Sequence, residues 1–248
     1  KIIKNPILVK IYSKMAKRNT SQFDTLSFLA PLLLILYLCI GFIPNLQAVD
    51  KIAPQWLSMS SLNLISILFF FYNRKSLRDI IGLNLNSKLS LTYIGFILWA
   101  IGSLTYAINS TEVLVNLSRQ FNVFLMFFIM ACLTYNLKNK LNFLAWIVSI
   151  ILAFEIYAVL DQAIELFNSK GRIDGGQLKG VTANRNITAF SIAIKIPFVL
   201  YLIHVIKKTW KKLALGIIIT LGLVSLSMIQ SRASFIAVGL IVFAYITL

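Results

Sequence analysis

Histidine, cysteine and acidic residues are scarce in this chain of 248 residues, which has one histidine, two cysteines and eight aspartates and glutamates. The lone histidine, His204, is accompanied by no cluster of His, Asp or Glu at ligand spacing, so nothing supports a metal site. Cys39 and Cys132 are far apart and fall in apolar stretches, which excludes a CxxC unit and a disulfide framework. A Walker loop, a glycine-rich dinucleotide fingerprint and a nucleophile elbow are missing too, which excludes the enzyme classes built on them; no cofactor is expected. No cleavable leader is evident, because the first apolar block follows 25 residues and lacks a small-residue exit site.

What the chain does have is apolar length: 58% of its residues are hydrophobic and 13% charged. A hydrocarbon core of ~30 Å is crossed by ~20 apolar residues of helix. Eight blocks of roughly that kind run at 26–44, 55–72, 89–108, 120–136, 141–160, 186–205, 213–230 and 232–248. The expected fold is therefore all-α, a polytopic transmembrane helix bundle of about eight spans. Residues 1–25 form a basic arm and 26–248 the membrane domain, with an extracytoplasmic loop at 161–185.

A formal net charge of +16 would suit nucleic acid, but its distribution points to a membrane. Segments 1–25, 73–88, 137–140 and 206–212 hold six, four, two and four basic residues and only two acids, Asp24 and Asp79. The alternate connections balance Lys51, Arg119, Lys170, Arg172, Lys179, Arg185 and Arg232 with Asp50, Glu112, Asp161, Glu165 and Asp174. Positive charge collects on the cytoplasmic side, so both ends are expected there, with the arm resting on anionic headgroups. The sequence opens on Lys1 and closes on Leu248 within an apolar block, so further C-terminal sequence is expected.

Two charges lie inside spans, Glu155 and Lys195. A charge at a helix centre costs at least ~2.5 kcal/mol on insertion scales, so each is a functional candidate. Asn184, Thr188, Ser191 and Lys195 recur at intervals of four, three and four and share one helix face. That face must look into the bundle, where Lys195 can pair with Glu155. Such a pair either locks two helices or tunes a substrate cavity.

Arginines mark the outer ends of three connections: Arg119 where the fourth span begins, Arg185 where the sixth begins, and Arg232 in the turn QSRAS. An interfacial arginine can be a snorkelling anchor, which fits Arg119. Several guanidiniums above a polar slot fit a phosphate or diphosphate on a lipid carrier, because Arg meets phosphate oxygens bidentately and stabilises charge developing there without a metal. Arg119 and Lys195, with Arg172 and Lys179 in the glycine-bearing loop 161–185, are further candidates for contact with such a substrate, as is Ser231.

GVTANRNITAF entering a span, followed by SLSMIQSRASFIAVGLIVF, resembles the O-antigen ligase and polymerase superfamily; the matching residues are Gly180, Asn184, Arg185, Asn186, Ser231 and Arg232. The resemblance implies a metal-independent glycosyltransferase of the bacterial inner membrane with its active side periplasmic. It would take a glycan from undecaprenyl pyrophosphate, the lipid-linked oligosaccharide donor, and pass it to a glycolipid acceptor. For a ligase the acceptor is a lipid A core sugar; for a polymerase it is another lipid-linked repeat. Arg185 and Arg232 would then be catalytic and grip the diphosphate, while Asn184 and Asn186 orient the loop or the first sugar. The family's ligases also use a histidine in a later extracytoplasmic loop and about four further spans, which this sequence does not contain. A transporter or flippase for a lipid-linked or anionic solute is the competing class.

Overall fold

The computed structural model describes residues 23–44, 52–135, 137, 139–182 and 184–247. Every regular element among them is helical: α1 (Phe23–Leu38), α2 (Ala53–Tyr72), α3 (Arg74–Leu85), α4 (Lys88–Gly102), α5 (Ser110–Tyr135), α6 (Lys140–Lys170), α7 (Arg185–Val205), α8 (Thr209–Ile229) and α9 (Arg232–Thr247), with single 3-10 turns at Ile40–Phe42, Ser103–Thr105 and Gly180–Thr182. Most of the basic arm, together with Lys51 and Lys138, lies outside the described residues.

Among the described residues, six segments are long and apolar enough to cross a membrane: Ala53–Tyr72, Lys88–Thr105, Ser110–Tyr135, Lys140–Lys170, Arg185–Val205 and Thr209–Ile229. The two blocks at the ends of the expected set make shorter helices. α1 and α9 have 16 residues each, which at ~1.5 Å per residue is less than the ~30 Å of a bilayer core. Large apolar side chains such as Phe28, Leu64, Leu68, Trp99, Phe154, Ile217, Leu240 and Phe243 are exposed on the outer surfaces of the helices. That surface suits lipid, because water penalises so much exposed apolar area.

Three sequence boundaries are corrected. The connection at 73–88 contains the helix α3, whose Leu77 and Ile80, three residues apart, are buried in the core with α1, α2 and α5. α5 begins ten residues earlier than the expected span, at Ser110, where the Asn109 side chain accepts the Glu112 N–H at 3.2 Å. Arg119 therefore lies within a helix and not at its start. α6 runs on through 161–170, so the loop shortens to 171–184; Ala163 is buried in the core, and Gly171 stops the helix with a left-handed φ of 67°.

Two cores divide the molecule. α1, α2, α3 and α5 enclose one, around Leu34, Tyr37, Phe70, Ile129 and Cys132. α6, α7, α8 and α9 enclose the other, around Leu152, Val159, Ile192, Ile196 and Leu226, and the loop residue Leu178 is fully buried within it. α1 also touches α6, and the 40–42 turn touches the 180–182 turn, which joins the halves.

Candidate functional site

The loop 171–184 is a built structure folded against one end of the C-terminal half. Gln162, on the last turns of α6, accepts the backbone N–H groups of Lys179 (3.1 Å) and Gly180 (2.9 Å) and returns its amide to the Gly180 carbonyl. The Thr188 hydroxyl bonds the Lys179 carbonyl at 2.5 Å and meets the Thr182 hydroxyl at 2.7 Å. Gly180 has φ +53°, and a Cβ there would stand 2.8 Å from Thr188 Cγ2, so both backbone and space demand glycine. Gly175 is held as closely: a Cβ would come within 2.3 Å of the Met228 carbonyl at the end of α8. At the tip, Asp174 accepts the Gly176 N–H (2.9 Å) and the Gln177 amide (3.0 Å). Those two bonds, and then the charges of Arg172 and Lys170, hold its carboxyl below the ordinary value of 3.8.

α7 starts where Asn184 caps it, the side chain accepting the N–H groups of Asn186 (3.0 Å) and Ile187 (3.4 Å). Arg185 is thus the first residue of α7. Arg232 is the first residue of α9, following the turn at Gln230, whose φ of 58° closes α8. Both guanidiniums line one open cavity of about 960 Å³ between α7, α8 and α9. Asn186, Ser227, Gln230 and Ser231 supply its polar wall, and Phe190 and Phe235 much of its apolar wall. Ser231 and Ser234, both buried, fix the turn through a 3.1 Å hydroxyl pair. Neither Arg185 nor Arg232 has a hydrogen-bond or ion-pair partner among the described residues, and no carboxylate lines the cavity. Two unpartnered guanidiniums at two helix N-termini make a site that favours an anion.

Deeper along the same helix, Lys195 Nζ donates to both oxygens of Glu155 on α6, at 2.8 and 2.9 Å. Ser191 joins them: its hydroxyl donates to Glu155 Oε1 at 2.9 Å, its carbonyl accepts from Lys195 at 3.2 Å, and the ammonium also meets its hydroxyl. The side chains are only 9% and 17% exposed for Glu155 and Lys195 respectively, so each charge depends on the other. Lys195 is bonded within this cluster and does not line the arginine cavity, which sets it apart from the substrate-contact role expected of it.

The remaining candidates divide by position. Asn186 and Ser231 line the cavity, whereas Asn184 spends its side chain on the helix cap. Arg172 and Lys179 are exposed in the loop and do not line the cavity. Arg119 is separated from Arg185 and Arg232 altogether: it stacks over Trp56, 5.7 Å from the ring centroid, in a second cavity of about 410 Å³ between α2 and α5. The three outer arginines therefore do not converge; two do.

Sequence reasoning also passed over a neutral relay in the first half. The Tyr37 hydroxyl donates to Asn63 Oδ1 (2.8 Å) and meets the Ser66 hydroxyl (3.1 Å), Asn63 donates to the Asn122 carbonyl (2.9 Å), and Asn122 to Ser60 Oγ (2.6 Å). The readable signal is Ser60 and Asn63 one turn apart inside an apolar block. No family model, curated protein or solved structure matches the chain.

Proposed function

We propose that the arginine cavity binds the diphosphate of a lipid-linked glycan and that the protein is a metal-independent glycosyltransferase of the O-antigen ligase kind, working at the periplasmic face of a bacterial inner membrane. The single observation that carries this reading is the pair of unpartnered guanidiniums, Arg185 and Arg232, facing one cavity at the ends of apolar helices. An anion there gains bidentate contacts and the positive ends of two helix dipoles, and its lipid part is matched by the apolar surface below.

In the transfer, the bond from the sugar anomeric carbon to the diphosphate oxygen breaks while an acceptor hydroxyl oxygen bonds the same carbon. The departing diphosphate gains a negative charge, which Arg185 and Arg232 would stabilise. The hydroxyl proton passes to a base, and the cavity wall offers none, its polar residues being arginine, asparagine, glutamine and serine. Asp174 serves poorly, because its lowered carboxyl value makes it a weak acceptor. The resemblance to the ligases implies a histidine for that step. A polymerase, passing the glycan to a second lipid-linked repeat, would use the same two arginines.

The test is transfer in membranes containing the full-length protein and an undecaprenyl-pyrophosphate-linked glycan. Arg185→Ala and Arg232→Ala should each lower the rate by about 10²–10³-fold with the protein still folded and inserted. Wild-type transfer in both variants overturns the reading.

A further inference from the structure

We propose that the end of the bundle where α6 begins, α7 ends and α8 begins is a docking site for the headgroup of an anionic phospholipid. It lies at the opposite end of α7 and α8 from Arg185 and Arg232. Lys207 and Lys208 stand in the connection after α7, and Lys211 and Lys212 in the first turn of α8, so four cations fall within the stretch KKTWKK. Lys207, Lys208 and Lys212 are exposed. None of the four has a carboxylate partner among the described residues, and the three helices supply no acid at this end. Residues 175–248 contain no acidic residue, and α6 has none before Glu155, which is bonded to Lys195. Positive charge left unbalanced in this way favours an anionic ligand.

Lys211 separates this site from a row of snorkelling lysines. Its Nζ lies 5.5 Å from the ring centroid of Trp210, its neighbour on α8, and 5.5 Å from that of Trp146 on α6, and the residue is half-buried. A snorkelling side chain reaches for water, whereas this ammonium is held between two indoles from two helices. Its position is set before a phosphate arrives, which lowers the ordering cost of binding. α7 is tied to the same end, where the Tyr201 hydroxyl donates to Asn142 Oδ1 at 2.7 Å. Beside the lysines, Trp210, Leu213 and Ile217, spaced three and four apart on one face of α8, are 65%, 66% and 59% exposed. The charged end thus continues into an apolar, lipid-facing stripe. A free phosphate would use only the lysines; a phospholipid uses both, its phosphate on the ammonium groups and its acyl chains along the stripe.

The experiment uses the full chain with Trp56 and Trp99 replaced by Phe, leaving the indoles of Trp146 and Trp210, in phosphatidylcholine nanodiscs with a rising fraction of phosphatidylglycerol whose brominated acyl chains quench nearby indoles. Quenching, taken against the same lipid without bromine, should saturate at a low fraction, whereas brominated phosphatidylcholine quenches only in proportion to its abundance. The fraction giving half-quenching should rise about fivefold for each lysine lost, in Lys211→Gln and again in the double change Lys207→Gln, Lys208→Gln. The double change Arg78→Gln, Lys88→Gln, which removes exposed charges of the N-terminal half, should leave it unchanged. Circular dichroism checks folding, and native mass spectrometry of the wild-type chain, counting retained phosphatidylglycerol against phosphatidylcholine, replaces fluorescence if the double-Phe chain does not fold. The proposal is overturned by equal quenching from the two brominated lipids, by undiminished quenching in the lysine variants, or by an equal loss in the Arg78 and Lys88 variant, which would make net charge the cause. This site does not rest on the transferase reading, and either can fail alone.

Discussion

The two halves of the molecule solve one problem with different chemistry. Each ties its helices together through polar side chains in an apolar interior. The C-terminal half uses a charged pair with a serine, Glu155, Lys195 and Ser191. The N-terminal half uses the neutral relay of Tyr37, Asn63, Ser66, Asn122 and Ser60. Burial follows the same division: 44% of the apolar window of α6 and 39% of that of α7 is inside, against 11% for α5 and for α4. A buried charge tolerates little exposure to lipid and no missing partner, so it belongs where packing is densest. The neutral relay survives in a looser half because losing one amide or hydroxyl contact forfeits far less.

The sharpest way to break that contrast is to remove one charge. Lys195→Met leaves a carboxylate buried on α6 and should destabilise the protein by about 3–5 kcal/mol, measured by reversible unfolding in mixed micelles. The double change Lys195→Met, Glu155→Gln should cost clearly less than the sum of the singles. Additivity would mean that the pair contributes nothing as a pair.

Next in size is the geometry of the anion site. Arg232→Lys keeps the charge but loses the planar fork, so transfer should fall about tenfold or more while stability is unchanged. Full activity with lysine there would reduce the cavity to a simple positive patch. The N-terminal arginine should respond differently: Arg119→Lys, remote from that cavity, leaves transfer unaffected.

The sequence made the charged half far easier to read than the neutral one. Glu155 and Lys195 stand out because each interrupts an apolar run, and the four-three-four spacing through Ser191 aims them at a neighbouring helix. Asn63 and Asn122 are ordinary amides among serines, and only the packing of α1, α2 and α5 shows that they touch. The same limit applies to the site. That Arg185 and Arg232 open two helices is legible from their flanking residues. That Arg119 does not join them depends on where α5 begins, and an apolar-block search passes over the polar first turns of a helix. The folding of the loop after α6 was hidden for a different reason: DQAIELFNSK has the mixed polarity of a connector, yet Ala163 faces the core, and Gly175 fits the Met228 carbonyl only through tertiary contact.

A smaller test addresses the relay. Tyr37→Phe removes the hydroxyl that serves both Asn63 and Ser66 and should cost about 1 kcal/mol by the same unfolding measurement. A loss as large as that of Lys195→Met would erase the distinction between the halves.

The smallest effect concerns Asp174, in the structured loop of the C-terminal half. Its carboxylate is the form that the Gly176 N–H, the Gln177 amide and the nearby Arg172 and Lys170 favour, so its value in the folded loop lies below 3.8. Its contribution is therefore complete above pH 3.8 and is lost as the pH falls through the lower folded value. Hydrogen exchange across 171–182, corrected for the intrinsic rate, should show protection of Gly176 fading as the pH falls below 3.8. Asp174→Asn should respond little over the same range, since an amide does not titrate. Because the group is fully exposed, the change should stay within the loop and leave α7 untouched. Equal fading in both proteins would mean that Gly176 is held by something other than that carboxylate, and that the loop owes its shape to Gln162 and Thr188 alone.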